Sequence, residues 1–222
     1  MIIAEIGINH LGDIKLLRKY INFLNHCKIE AITVQLLSKN FFKGDLKRYY
    51  INREILLKTF IKLSSKKIGI ISDKYDHLIN QHLKYIDFFK ILGSQTNNKT
   101  IIDKLSSFKK PVYLSNRGLN KIKEKKIINL VKKENNFYII HTQLKTHKNF
   151  TNLKKLKILN KILNGKVCFG SHSNDHSAVI KSLKYKPKKI FFYIKDNRDL
   201  EYPDNSYAIP LKNLKKLIKK IK

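Results

Sequence analysis

A closed (β/α)8 barrel is the fold this 222-residue sequence predicts, and three observations predict it. Eight short apolar runs recur along the chain. Most are continuous and not alternating, as strands covered on both faces require. Segments with helical spacing and lysine-rich outer faces lie between them, the alternation that builds a parallel sheet. No Pro/Gly-rich linker or shift in composition interrupts the series, so residues 1–222 read as one domain. The length is short against the ~250 residues typical of such a barrel. An open, doubly wound sheet is the alternative architecture.

The elements follow in order. IIAEIGI (Ile2 to Ile8) is the first strand, and IKLLRKYINFLNHC behind it has helical spacing. AITVQLL (Ala31 to Leu37) is the second, with REILLKTFIKLSSK as the helix before IGIIS (Ile68 to Ser72), the third. DFFKIL (Asp87 to Leu92) is the fourth and leads into NKTIIDKLSSF. PVYLS (Pro111 to Ser115) is the fifth, trailed by KIKEKKIINLVKKE. FYIIH (Phe137 to His141) precedes NFTNLKKLKILNKIL, and VCFGSH (Val167 to His172) precedes SAVIKSLKY. KIFFYI (Lys189 to Ile194) is the eighth strand, and LKNLKKLIKKIK is the closing helix.

Lys+Arg number 47 against Asp+Glu 16, a formal net charge of +31. A charge of that size first suggests nucleic acid or an anionic surface. The lysines, however, are spread over nearly every helical segment, and Ile and Asn abound with them, as codon bias in an AT-rich genome produces. General surface bias is therefore the preferred reading and nucleic acid ranks below it. Cys27 and Cys168 are far apart with no CxxC, which fits a reducing compartment and small buried hydrophobes. A strand starting at the second residue leaves no room for a leader, and no run has the length of a membrane helix. The expected location is the cytoplasm.

A barrel builds its active site at the C-terminal ends of the strands. There the sequence places Glu5, Asn9 and His10, then Gln35, Ser72 and Asp73, Lys90, Ser115, His141 and His172. His141 and His172 end adjacent strands, a placement that offers two imidazoles to one divalent cation. His176, in the polar stretch GSHSNDHS, is the rival to His172. Lys90 inside DFFKIL needs an anion, and either Glu5 or a bound phosphate or carboxylate supplies it. No GxSxG elbow, GxGxxG, P-loop or HExxH is present.

The opening IIAEIGINHLGD resembles the first-strand signature of the sialic acid synthase family, I-A-E-I-G-x-N-H-x-G-D. The resemblance continues in order. EAITVQLL is similar to A-x-x-K-x-Q, FFKILGSQTNN to K-I-x-S-x-E/D-x-x-N, and KPVYLSNRGLN to K-P-V-x-L-S-T-G-M. FYIIHTQ is similar to the L-L-H-C strand, VCFGSH to V-G-x-S-D-H, and YPDNSYAI to G-P-D-H-x-F-S-L. The resemblance implies a barrel that joins phosphoenolpyruvate to an N-acyl amino sugar such as N-acetylmannosamine. The product is a nine-carbon 2-keto sugar acid, and phosphate is released.

By the same resemblance, His141 and His172 hold a divalent metal, manganese or magnesium. Glu5, His10 and Gln95 take the catalytic positions, and Asn9, Gln35, Lys90, Ser115 and Arg117 bind substrate. A homodimer is the candidate assembly. The small antifreeze-like domain of full-length members is not matched here. The departures fall at chemical positions. Thr33 replaces a lysine, Asp73 and Lys74 replace Thr-Pro, Gly93 replaces Ser, and Ser171 replaces Asp. Gln95 stands where the family has a carboxylate and cannot exchange protons as one does. Arg117 replaces a small residue and is a candidate anion donor.

Overall fold

The computed structural model describes residues 2–142, 152–173, 176–198 and 200–221. Eight parallel strands follow one another around the barrel: β1 (Ile2–Gly7), β2 (Ala31–Leu36), β3 (Lys67–Ser72), β4 (Phe88–Ile91), β5 (Val112–Ser115), β6 (Phe137–Thr142), β7 (Val167–Ser171) and β8 (Ile190–Lys195). β1 pairs with β2 and also with β8, Ile3 lying opposite Ala31 and Phe191. That second pairing closes the sheet and excludes the open doubly wound alternative. A two-residue strand, β9 (Ile209–Pro210), adds to the outer end of β8.

The helices lie between the strands: α1 (Ile14–Asn25), α2 (Arg53–Leu63), α3 (His77–Gln81), α4 (Lys99–Ser107), α5 (Lys121–Lys133), α6 (Lys154–Ile162), α7 (Ser177–Ser182) and α8 (Leu211–Ile221). Side-chain caps start four of them. Asp13, Asn52, Asn98 and Asn120 each accept from a backbone N–H of the first turn, which satisfies donors that a helix start leaves open. α3 was not expected; its five residues are too few to show a helical period. The expected sixth helix began at Asn149, and residues 149–151 lie outside the described residues, as does Lys222.

The strands are apolar on both faces because each face is covered. Ala4, Ile6, Ile32, Val34, Ile70, Phe89, Leu114, Phe137 and Ile139 join the cluster shared with the helices. Ile3, Ala31, Phe88, Tyr113, Ile140, Cys168 and Phe191 fill the barrel's interior, and Tyr138 packs against them. Their rings meet edge-on or stacked, with Tyr113 5.3 Å from Phe88, 5.2 Å from Phe191 and 5.1 Å from Tyr138. Gly69 is small by necessity, since a Cβ there would overlap the Phe88 ring. This aromatic plug is the floor of the site above it. No helix among the described residues is long and apolar enough to cross a membrane.

Candidate active site

Above the plug, the inward positions of the strands turn polar. Glu5 and Lys90 are both buried and form an ion pair at 2.5 Å. The Thr33 hydroxyl donates to the same Glu5 Oε1 at 3.4 Å, while Glu5 Oε2 has no hydrogen-bond partner among the described residues. Lys90 Nζ also stands 5.4 Å and 5.5 Å from the ring centres of Phe191 and Tyr193. Of the two anions the sequence allows for Lys90, Glu5 is therefore in place. Gln35 Nε2 donates to Tyr193 Oη at 3.2 Å, on the strand facing Glu5.

Beside this pair opens a pocket of about 370 Å3 at the strands' C-terminal ends. Lys90, Arg117, Lys123, Ser115, His172 and Tyr193 line it, together with the Gly93–Ser94 turn. Among the described residues the lining carries three cations and no carboxylate. The Ser115 hydroxyl accepts from Arg117 N at 3.3 Å, which folds the segment after β5 back over the strand end. Arg117 Nη1 lies 3.4 Å from His172 Nδ1. Burial, then the charges of Lys90 and Arg117, holds His172 well below the usual imidazole range, so it is neutral at pH 7.

Asn9 is a bracket. Its Nδ2 donates to Ile194 O at 2.7 Å, and its Oδ1 accepts from Asp204 N at 3.2 Å. It thereby holds the loop after β8 against the exit of β1. Replacing Asn9 by Ala leaves a buried carbonyl and a backbone N–H without their partners. The expected cost is roughly 1–3 kcal/mol, read as a lower urea midpoint with an unchanged slope; an unchanged midpoint refutes the bracket. His10 is buried at the same exit, its Nδ1 accepting from Gly12 N at 3.1 Å. Burial lowers its pKa to about 4 against the raising effect of Asp13. Nε2 of His10 has no partner among the described residues. Gln95 ends the turn after β4 with a buried, unpartnered Oε1, and it is not among the pocket's lining residues.

The two metal-candidate histidines have separate surroundings. Along β6 the odd positions Phe137 and Ile139 face the helices, and Tyr138 and Ile140 face the interior. His141 continues the outward series. Its Nδ1 lies 3.3 Å from Asn116 Nδ2, which itself donates to Glu124 of α5. Glu124 in turn pairs with Lys155 of α6 at 2.6 Å. Burial first, then Lys155, lowers the pKa of His141 to about 4, and its Nε2 has no partner among the described residues. His172 instead meets Arg117 and packs on Tyr207 and Tyr193. His176 is half-buried just before α7.

His10 Nε2 and His141 Nε2 are both buried ring nitrogens without a side-chain partner among the described residues. Among the described residues no three His, Cys, Asp or Glu side chains gather to hold an ion, and Arg117 and Lys90 put positive charge beside His172. The described residues therefore show no assembled divalent-cation site.

One departure has become structural. Asp73 accepts from Ser38 N at 2.8 Å and from Ser38 Oγ at 2.5 Å, fastening the loop after β2. Ser171 Oγ is buried without a partner among the described residues. Three further residues of the site were not among the candidate site residues, although Asp204 and Tyr207 belong to the YPDNSYAI stretch. Tyr193 faces Glu5 in the strand register. Tyr207 stacks on His172 at 4.4 Å and donates to Asp204. Asp204 is half-buried against the same cluster with its Oδ2 covered, and desolvation raises its pKa to about 6. Tyr193 reads as apolar inside IFFYI, and only the register of β8 against β1 points to it.

A family model described as "NeuB family" matches residues 37–222. The chain belongs to the NeuB family. It is a divergent member. An uncharacterized protein of Methanocaldococcus jannaschii is 28% identical over 243 residues, covering 100% of this chain and 69% of its own length. Among solved structures, the N-acetylneuraminic acid (sialic acid) synthetase of Leptospira borgpetersenii superposes with a TM-score of 0.84 at 19% identity, covering 99% of this chain and 81% of that one. A spore coat polysaccharide biosynthesis protein of Bacillus subtilis gives 0.82 at 18% identity, over 100% and 66%. At such identities the two structures share the fold with this NeuB-family chain.

Proposed function

We propose that this NeuB-family barrel condenses phosphoenolpyruvate with the open-chain aldehyde of an N-acyl amino sugar, N-acetylmannosamine or a relative. The products are a nine-carbon 2-keto sugar acid and phosphate. The observation that carries the reading is the pocket at the strand ends, lined among the described residues by Lys90, Arg117 and Lys123 with Ser115 and without a carboxylate. Such a lining suits a small, multiply charged anion, and preorganised donors in a partly buried site stabilise charge that shifts during reaction. Lys90 and Arg117 hold the donor's carboxylate and phosphate, and Ser115 adds a hydroxyl. Tyr193 and the Phe191 ring form the dry wall against which the enol carbon faces the acceptor.

In the reaction, C3 of phosphoenolpyruvate bonds to the aldehyde carbon, and the carbonyl oxygen takes a proton. Water adds to C2 and gives up a proton, and phosphate departs. Glu5 keeps Lys90 in place through their 2.5 Å contact. His10, His141 and His172 are neutral and serve as hydrogen-bonding groups. The second reading is a barrel that binds the donor without turnover, and the amide at Gln95 favours it.

Phosphate release from phosphoenolpyruvate with N-acetylmannosamine and its acyl relatives tests the proposal, with and without EDTA. Sugar-dependent release is expected, and its change on adding the chelator reads whether a divalent cation takes part. Donor binding without release across the acceptor series selects the second reading, and absence of donor binding removes both.

A further inference from the structure

We propose that the Tyr193 hydroxyl is the electrophilic group of this pocket, donating a hydrogen bond to the acceptor's carbonyl oxygen as that oxygen gains charge. This rests on the synthase reading above and gives the aromatic wall a chemical part in it.

Tyr193 belongs to the inward series of β8. Phe191, two residues before it, fills the aromatic plug, while Ile190, Phe192 and Ile194 face the helices. The Tyr193 side chain therefore stands one layer above the plug, beside Glu5 and Lys90, and it lines the pocket. The neighbouring strand leaves room for it at Gly7, whose φ is +59° and where a Cβ would stand 2.6 Å from the Tyr193 ring. The ring crosses that gap, and its hydroxyl meets Gln35 of β2, the strand beyond β1. Edge-on contacts with His172 at 5.4 Å and Tyr207 at 5.6 Å hold the ring on its other sides. A ring held at so many points keeps its hydroxyl in one place.

The hydrogen bonding of that hydroxyl is half used. Oη accepts from Gln35 Nε2 at 3.2 Å, which leaves its own proton for another acceptor. The nearby carboxyl groups have not taken it. Glu5 lies opposite Tyr193 in the strand register, yet its Oε1 is engaged by Lys90 and Thr33, and its Oε2 has no partner among the described residues. Asp204 Oδ2, on the far side of Gly7, has none either. A fixed, buried hydroxyl with an unspent proton at a pocket wall is a preorganised donor. Burial, then the charges of Glu5 and Asp204, holds the phenol well above its usual range. It stays protonated and acts as a donor, not as a base.

Lys90 ties this donor to the reacting atoms. Its Nζ stands 5.5 Å from the centre of the Tyr193 ring, so an anion held by Lys90 lies against that ring. As C3 of phosphoenolpyruvate bonds to the aldehyde carbon, the carbonyl π pair moves onto oxygen, and the Tyr193 O–H stabilises the charge there. Water then adds to the C2 cation, and the proton it gives up goes to that oxygen. The proton left on the new C2 hydroxyl departs with phosphate as the C–O bond breaks and the ketone forms. Tyr193 keeps its own proton throughout.

Phosphate release with N-acetylmannosamine, beside calorimetry of phosphoenolpyruvate binding, tests this on wild type, Tyr193→Phe, Gln35→Met and the double variant. Tyr193→Phe keeps the ring and loses only the hydroxyl. Its kcat is expected to fall roughly 100-fold or more, as the loss of one such donor does, with both KM values and the donor's Kd within threefold. Gln35→Met lets the hydroxyl turn away from the acceptor, and its kcat is expected to fall about tenfold. Gln35 is a positioning residue that acts through Tyr193, so the double variant is expected to match Tyr193→Phe within twofold; two merely structural losses would multiply instead. An undiminished kcat or lost donor binding in Tyr193→Phe, or multiplied losses in the double variant, overturns the assignment while leaving the donor pocket standing. Donor binding by wild type without phosphate release, or no donor binding at all, removes the synthase reading and this inference with it.

Discussion

Lys90→Met is expected to lower unfolding stability by roughly 3–5 kcal/mol, the cost of leaving Glu5 charged and unpaired in a buried site. Lys90 and Glu5 are each less than 5% exposed, and Thr33 provides Glu5 with only a long 3.4 Å hydrogen bond. The ammonium also faces the Phe191 and Tyr193 rings, so solvent cannot replace it. Replacing both partners, as in Glu5→Met with Lys90→Met, removes the stranded charge and is expected to return stability to wild type or above. Binding behaves differently. Both variants lose a pocket cation, and both are expected to bind phosphoenolpyruvate at least 30-fold more weakly. Urea unfolding and calorimetry separate the two effects. Recovery of affinity in the double variant would show that Lys90 serves only to neutralise Glu5.

Gly93→Ser is expected to weaken donor binding tenfold or more, although it installs the residue that the sialic acid synthase pattern carries at that position. Gly93 opens the one-turn helix after β4, and a Cβ there would overlap the backbone carbonyl oxygen of Arg117. A backbone atom on the adjoining segment cannot swing aside as a side chain does. The added atoms must therefore push the segment after β5 outward, at roughly 1–3 kcal/mol for such overpacking. Arg117 then leaves His172 and Ser115. The departures at positions 93 and 117 are in this sense one change: the glycine gives the arginine segment its place. An affinity within twofold of wild type in Gly93→Ser would refute that coupling.

The barrel was legible because its strands are buried on both faces. Every expected strand run, from IIAEIGI to KIFFYI, overlaps an observed strand with ends within two residues. Helix α3 escaped notice at five residues, as did the two-residue β9. In the site, Glu5 and Lys90 stood out as charges inside apolar runs, and burial did pair them. Asn9 and Gln35 were also marked, though their side chains hold the β8 end and its tyrosine. The pairing of His141 with His172 rests on strand ends, whereas the twofold alternation of β6 sets which way each side chain faces. Phe137 and Ile139 set its outward face, and His141 falls on that face. Asp204 and Tyr207 lie in a turn-rich loop with no periodicity, and only the closed barrel brings them to β1.

The bracket made by Asn9 also sets an order of assembly. Its side chain bonds to partners 185 and 195 residues further along the chain, and β1 finds its second neighbour only in β8. Contacts between such distant segments are the slowest to form, because closing the intervening loop must precede any gain from them. During synthesis the first strand therefore emerges with one edge unpaired and waits for nearly the whole chain before that edge is covered. The donor pocket, its aromatic wall and Asp204 come together in the same closing step. A ribosome-bound chain shorter than about two hundred residues is expected to have neither a sealed barrel nor a site, and its exposed β1 edge is the segment most in need of a chaperone.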